Sequence, residues 1–318
     1  MTRALLAIVL SFGSALAAAQ AFPTKPVTLL ITFPAGGPTD IAGRALAEAT
    51  SKYLGQPVVV ENRPGAGGQI AMSALKAAAP DGQTLVMTPL VTVVTAPHVF
   101  PKLPYDAFTD FTPVAHTADF LFGFAIGPNV PAKTLAEFVA LVKKEPRHGN
   151  YASAGAGSLP HFFSILFAQT AGINMTHIPY KGTAPALTDL LGGQISSFMG
   201  TASDLAAQHR AGKLRILATS GVARARVVGD APTFKELGFN IEGAGWYAVY
   251  APAKTPKETV DRLSGAIVAA IKAPDIREKL EALGMEPTGL GPEDLARIHR
   301  MDFDKWGPVI KASGFKPD

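Results

Sequence analysis

Two short stretches carry the residue types of an anion cradle at a suitable spacing. Pro34-Ala35-Gly36-Gly37-Pro38-Thr39-Asp40 follows one β-rich run, and Ser153-Ala154-Gly155-Ala156-Gly157-Ser158 follows another. Each would turn a strand into a helix through a glycine-rich bend. A helix start presents unpaired N–H groups and the positive end of the helix dipole, which together suit a carboxylate or similar anion. Gly36, Gly37 and Gly155 would let the backbone approach a ligand closely, while Thr39 and Ser158 add hydroxyl donors. One such turn is common in parallel α/β units, but two in separate parts of the chain point to a site clamped from both sides. The plainer reading, that the glycines only permit tight turns, stands beside it.

Further candidates sit at the ends of neighbouring runs. Asp40 falls in the first turn of the first helix. There it either caps the dipole or accepts bonds from the turn and aims the N–H groups outward; direct contact with an anion would be repulsive. Tyr180-Lys181-Gly182-Thr183 follows a strand, with Tyr180 and Thr183 able to give directed bonds and Lys181 either an anion contact or a solvated loop lysine. Thr88 ends the third strand, Thr201 follows Gly200 at another strand end, and His161 stands at the head of the helix after Ser158.

Searches for catalytic machinery come back empty. G-x-S-x-G, G-x-x-x-x-G-K-[ST] and H-E-x-x-H are absent, and Gly155–Pro160 fails the dinucleotide fingerprint at its last position. The histidines at 98, 116, 148, 161, 177, 209 and 299 show no metal-ligand spacing. No metal, cofactor or enzyme activity is therefore expected; an exported α/β hydrolase with an unmarked Ser/His/Asp triad is a distant alternative.

These candidates must be positioned by a chain of 318 residues, of which 47% are hydrophobic and 17% charged. That length predicts two domains with cores of their own. A net charge of +4 with Lys143-Lys144 as the only adjacent basic pair gives no nucleic-acid footprint. The absence of Cys excludes disulfides, thiolate metal sites and a lipoprotein anchor. Arg3, the apolar run Ala4–Leu10 and the small residues Ala15–Ala21 read as a cleavable secretory signal, residues 1–21, with a cut after Ala19 or Ala21. A membrane anchor is the rival reading, disfavoured by Ser11, Gly13 and Ser14 in an already short run.

From Val27 onward strand and helix patterns alternate. Val27–Phe33, Thr39–Leu54, Pro57–Glu61, Gln69–Ala79 and Gln83–Thr88 read as βαβαβ. The middle of the chain repeats this plan, with strands at Phe120–Ile126, Asn150–Ser153, Asn174–Pro179, Gln194–Met199 and Leu214–Ser220. Lys257–Ile271, Asp275–Leu283 and Pro292–Ala312 read as closing helices. The expected fold is α/β with two lobes, each a mainly parallel sheet flanked by helices.

Several ordered motifs carry a family resemblance. Phe33–Asp40, Val59-Val60-Glu61-Asn62-Arg63-Pro64-Gly65-Ala66-Gly67-Gly68, Pro80-Asp81-Gly82, Lys102–Asp106, Asn150–Gly155, Pro179–Gly182, Asp189–Gln194 and Arg210–Lys213 run in sequence. Together they resemble the Bug family, the substrate-binding proteins of tripartite tricarboxylate transporters. The resemblance implies a periplasmic Venus flytrap that closes on a small carboxylate and acts as a monomer. Its partner would be the transporter's membrane subunits or a membrane sensor kinase. By motif it places Ala35, Gly36, Gly37 and Asp40 in the site, opposed by Ser153, Ala154, Gly155 and Ser158, and flanked by Tyr180, Lys181, Gly182 and Thr183. Arg63–Gly68 reads as structural. The lobes would be 22–121 with 250–318, and 122–249, hinged near Phe120–Phe124 and Tyr247–Ala251. Where relatives carry an Asp followed by Ser, this chain has Gly200-Thr201, so amino acids with an ammonium group are expected to be disfavoured. The apolar run Met87–Val94 suggests room for an aliphatic or aromatic tail.

Overall fold

The computed structural model describes residues 22–316, so the secretory-signal reading of residues 1–21 lies outside the described residues. The chain runs β1 (Val27–Ile31), α1 (Pro38–Leu54), β2 (Val58–Asn62), α2 (Gln69–Ala77), β3 (Thr84–Pro89), α3 (Ala96–Val99) and β4 (Phe111–Phe120). It continues through β5 (Phe122–Ile126), α4 (Leu135–Lys144), β6 (Asn150–Ser153), α5 (Leu159–Ala171), β7 (Thr176–Pro179), α6 (Thr183–Leu191), β8 (Ser197–Thr201), α7 (Ala202–Arg210) and β9 (Arg215–Thr219). β10 (Gly245–Pro252), α8 (Lys257–Lys272), α9 (Pro274–Ala282), β11 (Met285–Leu290) and α10 (Pro292–Ala312) complete it.

Local signals account for most helix ends. Pro38 occupies the first turn of α1, where its missing N–H costs nothing, and Gly55 ends that helix in the left-handed region at φ 75°. Thr134 and Glu137 form a reciprocal capping box at the start of α4.

The strands form two sheets, ordered β11-β4-β10-β3-β1-β2 and β7-β6-β8-β5-β9. Both are mixed, which corrects the expectation of mainly parallel sheets. β1 pairs parallel with β2 and β3, and β6 with β7 and β8, whereas β10, β11 and β5 pair antiparallel with their neighbours. The reason lies in the crossings between sheets. β4 passes through Leu121 directly into β5, and β10 brings the chain back, so these strands run against the blocks they join. β4 escaped the periodicity reading because Pro113, His116 and Asp119 interrupt its apolar pattern. β11 was hidden likewise by Pro287 and Gly289.

β10 pairs with β3 and β4, so Tyr247–Ala251 lies inside the first sheet. The second crossing is the segment Ser220–Ala244, upstream of the expected position. Ser220 ties the two crossings together: its N–H donates to the Phe122 carbonyl at 3.0 Å, and its Oγ accepts from the Phe122 N–H at 3.0 Å. One aromatic-rich core joins Phe122, Phe124, Phe138, Phe162, Phe163 and Phe167 to Trp246, Tyr250 and Trp306. Through it α10 packs on α5, with the Trp306 and Phe163 rings 5.2 Å apart.

This topology brings the carboxyl ends of both parallel blocks to the boundary between the sheets. Pro89, which ends β3, pairs with Tyr247 near the start of β10, and Thr201, which ends β8, pairs with Phe122 at the start of β5. α1 follows β1, while α5, α6 and α7 follow β6, β7 and β8, so their N-termini gather at that boundary.

Candidate functional site

On the first-sheet side, the turn at Ala35–Gly37 is held from below by a polar tie. The Asp40 carboxylate is buried and accepts the Gly36 N–H at 2.9 Å, Arg44 Nε at 3.1 Å and Asn62 Nδ2 at 2.9 Å. Asn62 also donates to the Phe33 carbonyl at 3.1 Å and accepts from the Arg44 guanidinium at 2.8 Å. Arg44 foremost, helped by Gly36 and Asn62, pulls the Asp40 pKa down to about 2 against the opposing effect of burial. Asp40 is thus a charged brace whose oxygens face the turn. Gly36 needs its φ of +83°, which glycine alone adopts freely. Among the described residues, the N–H groups of Gly37, Thr39 and Asp40 have no protein acceptor. They are the donors this turn can offer.

On the second-sheet side, the hydroxyls fold back on their own turn. Ser158 Oγ donates to the Gly155 carbonyl at 2.6 Å and caps α5 by accepting from the His161 N–H at 3.4 Å. Ser153 is fully buried; its Oγ donates to the Gly155 carbonyl at 2.9 Å and lies 2.8 Å from His177 Nε2. The Gly157 N–H donates to His161 Nδ1 at 3.1 Å. That leaves the N–H groups of Ala154, Gly155, Ala156 and Leu159 without a protein acceptor among the described residues. A Cβ placed on Gly155 would meet nothing within 4 Å. His161 and His177 stack at 3.9 Å, and burial pushes both pKa values down to about 4, so both are neutral at pH 7.

The remaining candidates are placed less directly. Tyr180 donates its hydroxyl to Asp189 Oδ2 at 2.6 Å, and burial with this bond raises its pKa to about 12. Thr183 Oγ1 donates to Asp204 Oδ2 at 3.0 Å, tying the starts of α6 and α7. The Gly182 N–H is spent on the Ala154 carbonyl at 2.9 Å, and Lys181 is exposed. Thr201 caps no backbone group of α7, and its Oγ1 accepts from Ser203 at 3.4 Å. Thr88 is buried between Thr32, at 3.2 Å, and Thr92, at 2.7 Å, as the middle of a hydroxyl chain. Gly68 packs directly on Thr32 and Thr92, which carries the Arg63–Gly68 loop to the same spot.

The sequence reading missed several members. Asn62 and Arg44 complete the Asp40 brace, His177 lies against Ser153, and Phe315 from the far end of the chain packs on Gly157 and His161. Tyr247, expected at the hinge, lies in β10 between β3 and β4. Burial foremost raises its pKa, with Thr39 opposing this and the Asp204 carboxylate adding to it. Asp204 also qualifies the expectation drawn from Gly200-Thr201: an exposed acid returns in the first turn of α7. Its position in the turn after a strand was the available signal. The cavity of about 960 Å³ beside Gly127, Lys133 and Arg215 lies at the opposite end of the second sheet, away from these turns.

Residues 42–315 match the pattern of the tripartite tricarboxylate transporter family receptors. The chain belongs to that family. It is 31% identical to the protein BugT of Bordetella pertussis, over 94% of this chain and 92% of that one. Among solved structures, the periplasmic binding protein BugD matches 93% of this chain and 100% of its own, at 32% identity and TM-score 0.75. The R. palustris protein Rpa4515 with adipate matches 93% and 100%, at 32% identity and TM-score 0.79. MatC of Rhodopseudomonas palustris with bound malate matches 91% and 100%, at 33% identity and TM-score 0.74. The two-lobed α/β expectation and the Bug resemblance therefore hold, and the chain is a solute-binding protein of this type.

Proposed function

We propose that this receptor captures a small organic carboxylate in the gap between its two sheets and works in the periplasm, exported by its N-terminal signal. It acts by binding, without catalysis, and hands its ligand to the transporter's membrane subunits. The lobes are the first sheet with its helices and the second sheet with its own, moving about Leu121 and Ser220–Ala244. One observation carries the reading: two glycine turns at helix starts, Gly37–Asp40 and Ala154–Leu159, each keep backbone N–H groups unspent at the boundary where the carboxyl ends of the parallel strands meet. The hydroxyls of Ser153, Ser158, Tyr180 and Thr183 already donate to protein acceptors, so the backbone supplies most of the donors. The adipate and malate held by relatives agree with a dicarboxylate ligand.

The test is calorimetry and thermal shift with a panel of mono- and dicarboxylates that includes adipate and malate, on wild type and Gly155→Val. A ligand at ~100 times its Kd adds about 2.7 kcal/mol of stability. Because space around Gly155 is open, Gly155→Val should abolish binding while unfolding stays cooperative at an unchanged midpoint. Unchanged affinity in that variant refutes the placement. Tight binding of aspartate or glutamate with none for organic acids refutes the ligand class.

A further inference from the structure

Helix α10 is tied to the first-sheet side along its middle and ends on the glycine turn of the second-sheet side. Trp246 Nε1 of β10 donates to Asp302 Oδ2 at 2.7 Å, His299 Nε2 lies 2.9 Å from the Val93 carbonyl, and His98 Nε2 lies 3.0 Å from the Phe303 carbonyl. One turn further on, Trp306 meets Phe163 of α5. Past Ala312 the chain bends sharply. Ser313 Oγ donates to the Ile310 carbonyl at 2.6 Å and accepts the Phe315 N–H at 3.1 Å, while Gly314 takes a φ of +67°. This left-handed helix cap fixes the direction in which the Phe315 ring points.

The ring lands on Gly157, which takes a left-handed φ of +73° in the second turn. A Cβ on Gly157 would stand 2.6 Å from the ring, so the ring lies directly against the backbone. The same ring meets His161 edge-on, with centroids 5.6 Å apart, and Phe162 at 5.8 Å. His161 Nδ1 accepts the Gly157 N–H, and His177 stacks on the other imidazole at 3.9 Å. Gly157 is thus held by His161 through a hydrogen bond and by Phe315 through contact. Ala154, Gly155, Ala156 and Leu159, whose N–H groups are unspent, lie on both sides of it in the chain. Glycine passes between left- and right-handed backbone at little cost, so Gly157 is where this turn can most easily re-aim those N–H groups. A turn that samples several shapes binds an anion more weakly, because ordering it on binding opposes the gain from the new bonds.

We propose that Phe315 is a positioning residue for carboxylate capture, fixing the second turn by covering Gly157 and His161 from the end of α10. It acts through those two residues rather than by contact with the ligand. The second turn is thereby set by an element anchored on the opposite side of the gap. The proposal rests on the reading of the Ala154–Leu159 turn as half of the carboxylate site.

The experiment compares wild type with Phe315→Ala in two measurements. Without ligand, hydrogen exchange of the Gly157 amide should be about tenfold faster in Phe315→Ala, whereas the Phe163 and Phe167 amides further along α5 should change by less than about twofold. A role confined to general stability would move all three amides together. With the mono- and dicarboxylates of the panel above, adipate and malate among them, calorimetry should show the acid that wild type binds best held about tenfold more weakly by Phe315→Ala. Unaltered Gly157 exchange, equal acceleration at all three amides, or undiminished affinity in Phe315→Ala overturns the positioning role and leaves the carboxylate site standing. Failure of wild type to bind any acid of the panel overturns the carboxylate reading, and the positioning role with it.

Discussion

Replacing Asp40 by Asn keeps the shape of the brace beneath the first turn but removes its charge and points an amide donor at the Arg44 guanidinium. The folded-state pKa of about 2 against an ordinary 3.8 corresponds to about 2.4 kcal/mol at about 1.36 kcal/mol per unit. Arg44 is 53% exposed, so solvent screening brings the expected loss to about 1–2 kcal/mol. The sign follows from the depressed value: the stabilisation is complete above pH 3.8 and lost as pH falls toward 2. The gap between wild type and Asp40→Asn should therefore be full at pH 7 and shrink to about half by pH 3. Urea unfolding of both proteins across that range measures it. No gap at pH 7, or an equal gap at pH 3, would refute a charged brace.

Other consequences are open to the same methods. Ser220→Ala leaves the buried Phe122 N–H without its acceptor at the crossing and should cost about 1–3 kcal/mol in urea unfolding; an unchanged midpoint counts against that pin. His177, neutral when folded with a pKa of about 4, must take up its proton more readily when unfolded, so it costs stability as pH falls from 6.5 toward 4. Relative to wild type, His177→Gln should lose less stability between pH 7 and pH 5, and parallel pH profiles would contradict this.

Much of the plan was legible because it is written locally. Both glycine turns, the helices after them and the three closing helices follow from caps, breakers and periodicity within a few residues. β4 and β11 were not legible. Their prolines and polar residues spoil the alternation, and only neighbours distant in sequence make them strands. The same holds for β10, whose apolar run suits a crossing or a central strand equally until its partners β3 and β4 are known.

At the site, the backbone donors were readable and their competition was not. A glycine turn before a helix leaves N–H groups free whatever surrounds it, so the residue types at 35–40 and 153–158 already pointed to an anion. Whether a hydroxyl faces a ligand depends on what else it can bond. Tyr180 and Thr183 are claimed by Asp189 and Asp204, and Ser153 and Ser158 by the Gly155 carbonyl. Asp40 became a brace once Arg44 and Asn62 closed on it. The sequence by itself determined the lobes' repeating architecture and where backbone donors stay unpaired, since both arise from near-neighbour geometry. Tertiary structure alone decided which polar side chains remain free to act, because hydrogen-bond partners and burial come from residues far apart along the chain.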